Sequence, residues 1–195
     1  MQVNPEIVDE VIKLRRSVFP QQYTGERVDD DIVRQILQNA HCAPTHKLTE
    51  PWRFVVFSGD GLKNLAAFQA SLYKKVATAD GTFKEDRHSN LLTKPLLSSH
   101  IIAVGMKRDE KKSVPEIEEI GAVFCAIENM YLTTTAYGIG GYLSTGGITY
   151  FKEAREYFGL GPDDILVGFF HIGVPKGPSP PRRRGSLDEK MRWVG

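Results

Sequence analysis

Cysteine is scarce: Cys42 and Cys125 are the two in 195 residues. That excludes a disulfide scaffold, and their separation excludes a metal knuckle or a close-spaced redox pair. Both fall inside apolar patterns and are expected as reduced, packed thiols. Charge of one sign is missing as well. Lys and Arg total 25 against 24 Asp and Glu, a net charge of +1. Nucleic-acid binders carry a larger basic excess, so no nucleic-acid partner is expected. No apolar run approaches the ~20 residues that span a bilayer. Met1 to Glu6 has neither the basic start nor the apolar run of a signal peptide. No membrane partner and a cytoplasmic location are therefore the expectations. Histidines at metal-binding helical spacing are absent, since Pro44 separates His41 from His46, and no Ser-His-Asp order stands out. Metalloenzyme and hydrolase readings are poor for that reason.

What is present is ordinary globular composition, 41% hydrophobic and 25% charged. A chain of this length buries roughly 70% of its unfolded surface without staples. One domain over residues 1–195 is expected. Pro5 opens a helical pattern carrying Ile7, Val8, Val11, Ile12 and Leu14, expected to end near Ser17. Asp29, Asp30 and Asp31 offer a cap and dipole-compatible charge to a second helix through Ala40. Phe54 to Phe57, Ile101 to Gly105 and Ile165 to Ile172 read as buried strands. A helix is expected from Leu62 to about Ala77, and a short one over about 150–158. Residues 78–98 are polar and aperiodic and predict a surface loop, suited to a substrate lid. The longest helical pattern, about 115–137, is apolar on almost every side, which predicts a central helix or one covered by a second subunit. Beyond Pro175 the composition turns to Pro, Gly, Ser and Arg, so residues 176–195 are expected as an extended arm. Strands separated by helices give an α/β or α+β class, one sheet covered by helices.

Four segments could carry chemistry. Arg15-Arg16-Ser17 puts two guanidiniums beside a hydroxyl, a good phosphate site. Basic residues also simply complement a helix C-terminus, and on the tripeptide alone that is the plainer account. Arg182-Arg183-Arg184 is a tail charge cluster that could converge on the same phosphate. The stretch Ala43 to Phe54 is a proline-bounded loop leading into a strand, with His46 and Lys47 able to hydrogen-bond a planar heterocycle and Trp52 expected in the core. Gly138-Ile139-Gly140-Gly141 follows a helix rather than a strand, so it fails as a dinucleotide fingerprint. Its glycines either cap that helix or let the backbone approach a flat ligand.

Together these segments resemble the nitroreductase family of dimeric, FMN-dependent NAD(P)H oxidoreductases. Arg15-Arg16-Ser17 looks like its N-terminal Arg-Arg-Ser. Ala43-Pro44-Thr45 through Glu50-Pro51-Trp52-Arg53-Phe54 looks like its Ala-Pro-Ser to Gln-Pro-Trp-Arg-Phe segment. Gly138 to Gly141 with Leu143-Ser144-Thr145 resembles its flavin loop, and the arginine arm its phosphate-binding tail. The resemblance covers nearly the whole chain and is nearest to the short, single-domain branch.

The resemblance implies an α+β fold, a mainly antiparallel sheet wrapped by helices, in an intertwined homodimer with FMN at the interface. Arg15, Ser17 and one or two of Arg182 to Arg184, with Arg182 and Arg184 favoured, would hold the FMN phosphate. Arg16 and the loop at His46 and Lys47 would meet the ribityl chain or ring edge. Backbone around Gly140, Gly141, Leu143, Ser144 and Thr145 would lie beside the reactive flavin nitrogen. NAD(P)H would be the co-substrate and an electron-poor nitroaromatic or quinone the acceptor, with no side chain acting as nucleophile or base. Two departures stand out. Phe19 replaces a family Arg or Lys at the pyrimidine edge, with Lys47 or His46 the expected substitute donor; Leu48 and Glu50 replace Asn and Gln. A dehalogenating or dehydrogenating relative, or a flavin-binding protein without turnover, are the alternatives.

Overall fold

The computed structural model describes residues 4–180 and 184–195. Helix α1 (Pro5–Leu14) begins with Pro5 in its first turn and the Asn4 side chain accepting from the Glu6 N–H, 3.0 Å. It stops at Leu14, one turn before the expected end. The chain leaves the helix because Val18 N–H donates to Gly141 O, 3.0 Å, and Ser17 forms a parallel bridge with Gly141. Helix α2 (Asp30–His41) is capped by Asp29, whose carboxylate accepts from Asp31 N–H, and buries Val33, Ile36 and Ala40.

Strand β1 (Trp52–Ser58) leads into α3 (Asp60–Ala79), which buries Leu62, Leu65, Leu72 and Tyr73. The segment expected as a surface loop holds a helix instead, α4 (Glu85–Thr93), followed by a 3-10 turn at Lys94–Leu97. None of the residues of α4 is buried, which is why no apolar period betrays it. Strand β2 (His100–Met106) is buried throughout. Helix α5 (Glu116–Ala136) buries Ala122, Val123, Ala126, Ile127 and Met130, while Ile117 is 74% and Phe124 46% exposed. Strands β3 (Gly140–Ser144) and β4 (Ile165–Gly173) complete the regular elements, and the short helix expected at 150–158 is two 3-10 turns, Lys152–Ala154 and Glu156–Phe158. In the arm, residues 176–180 and 184–195 hold one 3-10 turn at Asp188–Lys190.

The sheet order is β1-β2-β4-β3, every pair antiparallel. One face packs Ile102, Val104, Phe170 and Ile172 against α2 and α5. The other packs Ile101, Ala103, Leu166 and Phe169 against α3 and the turns after Ile148. Trp52 is buried as expected. The cysteines are not packed: Cys42, just after α2, and Cys125, beside Phe124 on the outward face of α5, are free and exposed. Strand β3 carries no β-branched run because its backbone must pass close to its neighbours. A Cβ on Gly140 would lie 2.6 Å from the Tyr23 ring, and one on Gly141 2.7 Å from Phe170. No helix among the described residues is long and apolar enough to cross a membrane.

Candidate functional site

Leaving α1, the chain lays Arg15, Arg16 and Ser17 against the edge of β3. The Arg15 guanidinium sits over the Tyr131 ring, 5.1 Å from its centroid, and 3.5 Å from the Glu128 carboxylate. The Tyr131 hydroxyl accepts from Leu143 N–H at 2.7 Å and lies 3.4 Å from Ser17 Oγ. Ser17, Arg15 and the Gly140–Leu143 backbone therefore meet around one tyrosine on α5. Arg16 does something else. Its Nη1 donates to Lys13 O (2.6 Å) and Arg15 O (2.8 Å), closing the end of α1, and its Nε donates to Pro180 O at 3.4 Å. Of its two readings, the helix-terminus one describes these contacts. Arg184 is exposed; Arg182 lies outside the described residues.

The far end of β3 borders a cavity of about 560 Å³ between the Pro20–Gln22 turn, α4, the Lys94–Leu97 turn and β4. Phe19 and Tyr142 form part of its wall with ring centroids 4.6 Å apart. Ser144 and Gly147 contribute to the same wall, whereas Thr145 is exposed beside it. His171 is buried at the cavity and pairs across the strands with Tyr142. Its Nδ1 is 3.0 Å from the buried Ser98 hydroxyl, while Nε2 has no hydrogen-bond partner among the described residues. Burial pushes its pKa down to about 4, so the ring is neutral near pH 7. The cavity also gathers Lys84, Arg87 and Lys94 with one acid, Asp86. Positions 87, 90, 91 and 94 recur at helical spacing, so one face of α4 and the turn after it points inward.

His46 and Lys47 do not join this group within the chain. His46 Nδ1 is 2.5 Å from the Glu118 carboxylate, and Lys47 Nζ donates to Ser113 O at 2.8 Å. Glu118 and Tyr131 stand toward opposite ends of α5, ~20 Å apart at the helical rise. Lys47, Leu48 and Glu50 have positive φ, 52°, 55° and 44°. A non-glycine residue there costs on the order of 1 kcal/mol, and neighbouring contacts, Thr45 Oγ1 to Thr49 Oγ1 (3.2 Å) and Arg53 Nη1 to Glu50 O (3.0 Å), hold the loop in that form.

Sequence reasoning missed Tyr131, His171, Lys94 and Arg87. The inward helical spacing within 84–94 was the one available signal. Among the described residues no group of three or more His, Cys, Asp or Glu side chains is placed to hold a metal ion.

Known proteins are similar to this chain. The Escherichia coli (strain K12) protein named "Putative NAD(P)H nitroreductase YdjA" is 30% identical over 153 residues, 78% of either chain. The crystal structure of a nitroreductase-like family protein from Bacillus cereus superposes with a TM-score of 0.81 at 29% identity, over 100% of this chain and 98% of that one. The FMN-dependent nitroreductase NfnB of Mycobacterium smegmatis, solved in complex with NADPH, shares the fold with a TM-score of 0.73 at 18% identity, covering 98% and 99%. The nitroreductase family model matches residues 12–174, from the last turn of α1 to the end of β4, and with that span the chain belongs to the nitroreductase family.

Proposed function

We propose that the chain is an FMN-dependent NAD(P)H oxidoreductase that reduces electron-poor acceptors such as nitroaromatics or quinones. The observation that carries this is the meeting of Arg15, Ser17 and the Gly140–Leu143 backbone around Tyr131, with the aromatic-walled cavity bordering Tyr142 and Ser144 of the same strand. An extended cofactor with an anionic tail and a flat head fits that run. Its phosphate would take the Arg15 guanidinium and the Ser17 hydroxyl, with Arg184 and Arg182 of the arm as further partners. The cavity, about 560 Å³, is of ordinary size for a cofactor head and partly aromatic.

Lys94 would supply what Phe19 lacks. Lys94 lines the same cavity as Phe19 and has no carboxylate partner among the described residues. It would place positive charge at the ring's pyrimidine edge, the role expected of Lys47 or His46, which are tied to α5 instead. Bound FMN would supply hydride transfer between a nicotinamide and the acceptor. Phe19 and Tyr142 would wall the ring from water, and neutral His171 would offer it a polar atom without adding charge.

A second copy completes the reading. The apolar side chains of α1, with Ile117 and Phe124 on α5, are exposed, and burying them in a homodimer would bring a second chain's His46 and Lys47 loop to the site. NfnB, which is FMN-dependent and bound NADPH, supports the pairing of cofactor and co-substrate. Its test is the visible spectrum of the purified protein before and after anaerobic NADH or NADPH. A flavin band that bleaches is expected. A colourless protein that takes up no added FMN would overturn the assignment.

A further inference from the structure

Positive charge around the cavity exceeds what one flavin edge uses. Lys84, Arg87 and Lys94 line it against a single acid, Asp86, and none of the four forms an ion pair among the described residues. Some exposed cations elsewhere are paired, Lys63 with Asp60, Lys112 with Asp163 and Arg27 with Asp30, whereas the three here share one cavity wall. The acid of α4 nearest to Arg87 after Asp86 is Glu85, and it lies 3.6 Å from His88. Arg87 is also held in place. Its guanidinium lies over the Tyr73 ring, 5.3 Å from the centroid, and Tyr73 in turn accepts from Lys84 N–H at 3.0 Å. One buried tyrosine thus anchors both positions, and a cation so placed loses little freedom on binding an anion.

Spacing separates the roles. Arg87 precedes Lys94 by two turns, ~10 Å along the helical path. With Lys94 assigned to the ring edge beside Phe19, Arg87 and Lys84 would be left for the second substrate in the same cavity. His171 keeps the floor uncharged, so an anion meets attraction at the α4 rim and a neutral hydrogen-bonding atom below.

We infer that this cavity selects acceptors that carry an anionic group, a carboxylate or sulfonate on an electron-poor aromatic ring, with Arg87 and Lys84 as the specificity-determining residues. The inference rests on the oxidoreductase reading above. A nitrobenzoate would be reduced as nitro compound plus NAD(P)H plus a proton to the nitroso compound, NAD(P)+ and water. The hydride pair enters at the nitro group, an oxygen leaves as water, and the carboxylate takes no part beyond binding.

The test compares 4-nitrobenzoate with its neutral counterpart 4-nitrobenzamide on the flavin-loaded protein. The same is done for Arg87→Gln and Lys84→Gln, with non-reducible benzoate titrated calorimetrically. The ratio of kcat/KM, acid over amide, should be about fivefold at low salt and fall toward one in each variant and at high salt, as expected for exposed charge pairs. Benzoate affinity should fall in step. Flavin absorbance reports whether each variant still folds and loads. A ratio near one in the unmodified protein, or one that both variants leave intact, overturns the inference while bleaching by NAD(P)H leaves the oxidoreductase reading standing. The alternative source of the anion is the nicotinamide dinucleotide. If the variants raise the KM for NADH or NADPH but leave the acid-to-amide ratio unchanged, the cations serve the donor and the inference falls. Absence of bound flavin removes the parent reading and this inference with it.

Discussion

Helices α1 and α2 look alike in sequence and end differently. Both start at a side-chain cap, Asn4 and Asp29, and both carry a clear apolar stripe. The stripe of α2 reaches the core, with Ile36 fully buried, while α1 buries nothing and leaves Ile7, Val8, Ile12 and Leu14 outside. The contrast teaches that amphipathic spacing identifies which face will be covered but not what covers it. Within the chain, the helix face against the sheet is satisfied. Among the described residues, nothing buries the α1 face.

Breaking the contrast on its buried side should have the largest effect. Ile36→Ala should lower unfolding free energy by about 2–5 kcal/mol, read by urea denaturation, because the sheet and α5 leave no room to collapse into the void. The next largest effect concerns another buried position, His171. Its pKa is about 4 folded against 6.5 as a free side chain. Between those values the unfolded chain binds a proton that the folded chain refuses. Stability should therefore fall as pH drops from about 6.5 to about 4, by up to ~3 kcal/mol, and stay level with respect to this group above pH 7. A His171→Gln variant should flatten that part of the curve.

Removing the two caps sharpens the comparison. Asp29→Ala should cost about 1 kcal/mol, whereas Asn4→Ala, on a helix with no buried residue, should cost the chain a few tenths. Smallest in folding energy is Ile12→Gln, expected within ~0.5 kcal/mol for the isolated chain, as for surface sites generally. It should nonetheless shift sedimentation toward the monomer and lower flavin retention. Unchanged sedimentation would overturn the proposed homodimer contact through α1.

Legibility followed the physics of each element. The three strands with runs of β-branched and aromatic residues were visible in sequence, β2 and β4 because both of their faces are covered and β1 through its short apolar run. Strand β3 was not, since Tyr23 and Phe170 exclude side chains at Gly140 and Gly141, and glycine spells no strand. Helix α4 escaped for the opposite reason: its inward side chains line a cavity and, Leu91 apart, are polar. At the candidate site, Arg15 and Ser17 stood out in sequence only as candidates for a phosphate, and Tyr131, which gathers them, is a long-range contact that no local spacing reports. The buried position assigned to Cys42 and Cys125 failed because an apolar neighbourhood in sequence is not a buried one in space.

The parallel bridge of Ser17 to Gly141 has a bearing on how the protein is handled. It sits on the outer edge of β3, the last strand of the sheet, next to the Leu143 N–H that the Tyr131 hydroxyl accepts from. A bare sheet edge is a template for another chain, and the segment after α1 acts as its gasket. Trimming the chain back to Val18 would do more than remove Arg15 and Ser17. It would uncover the seam, and the loss would be seen first as precipitate rather than as a clear, inactive solution.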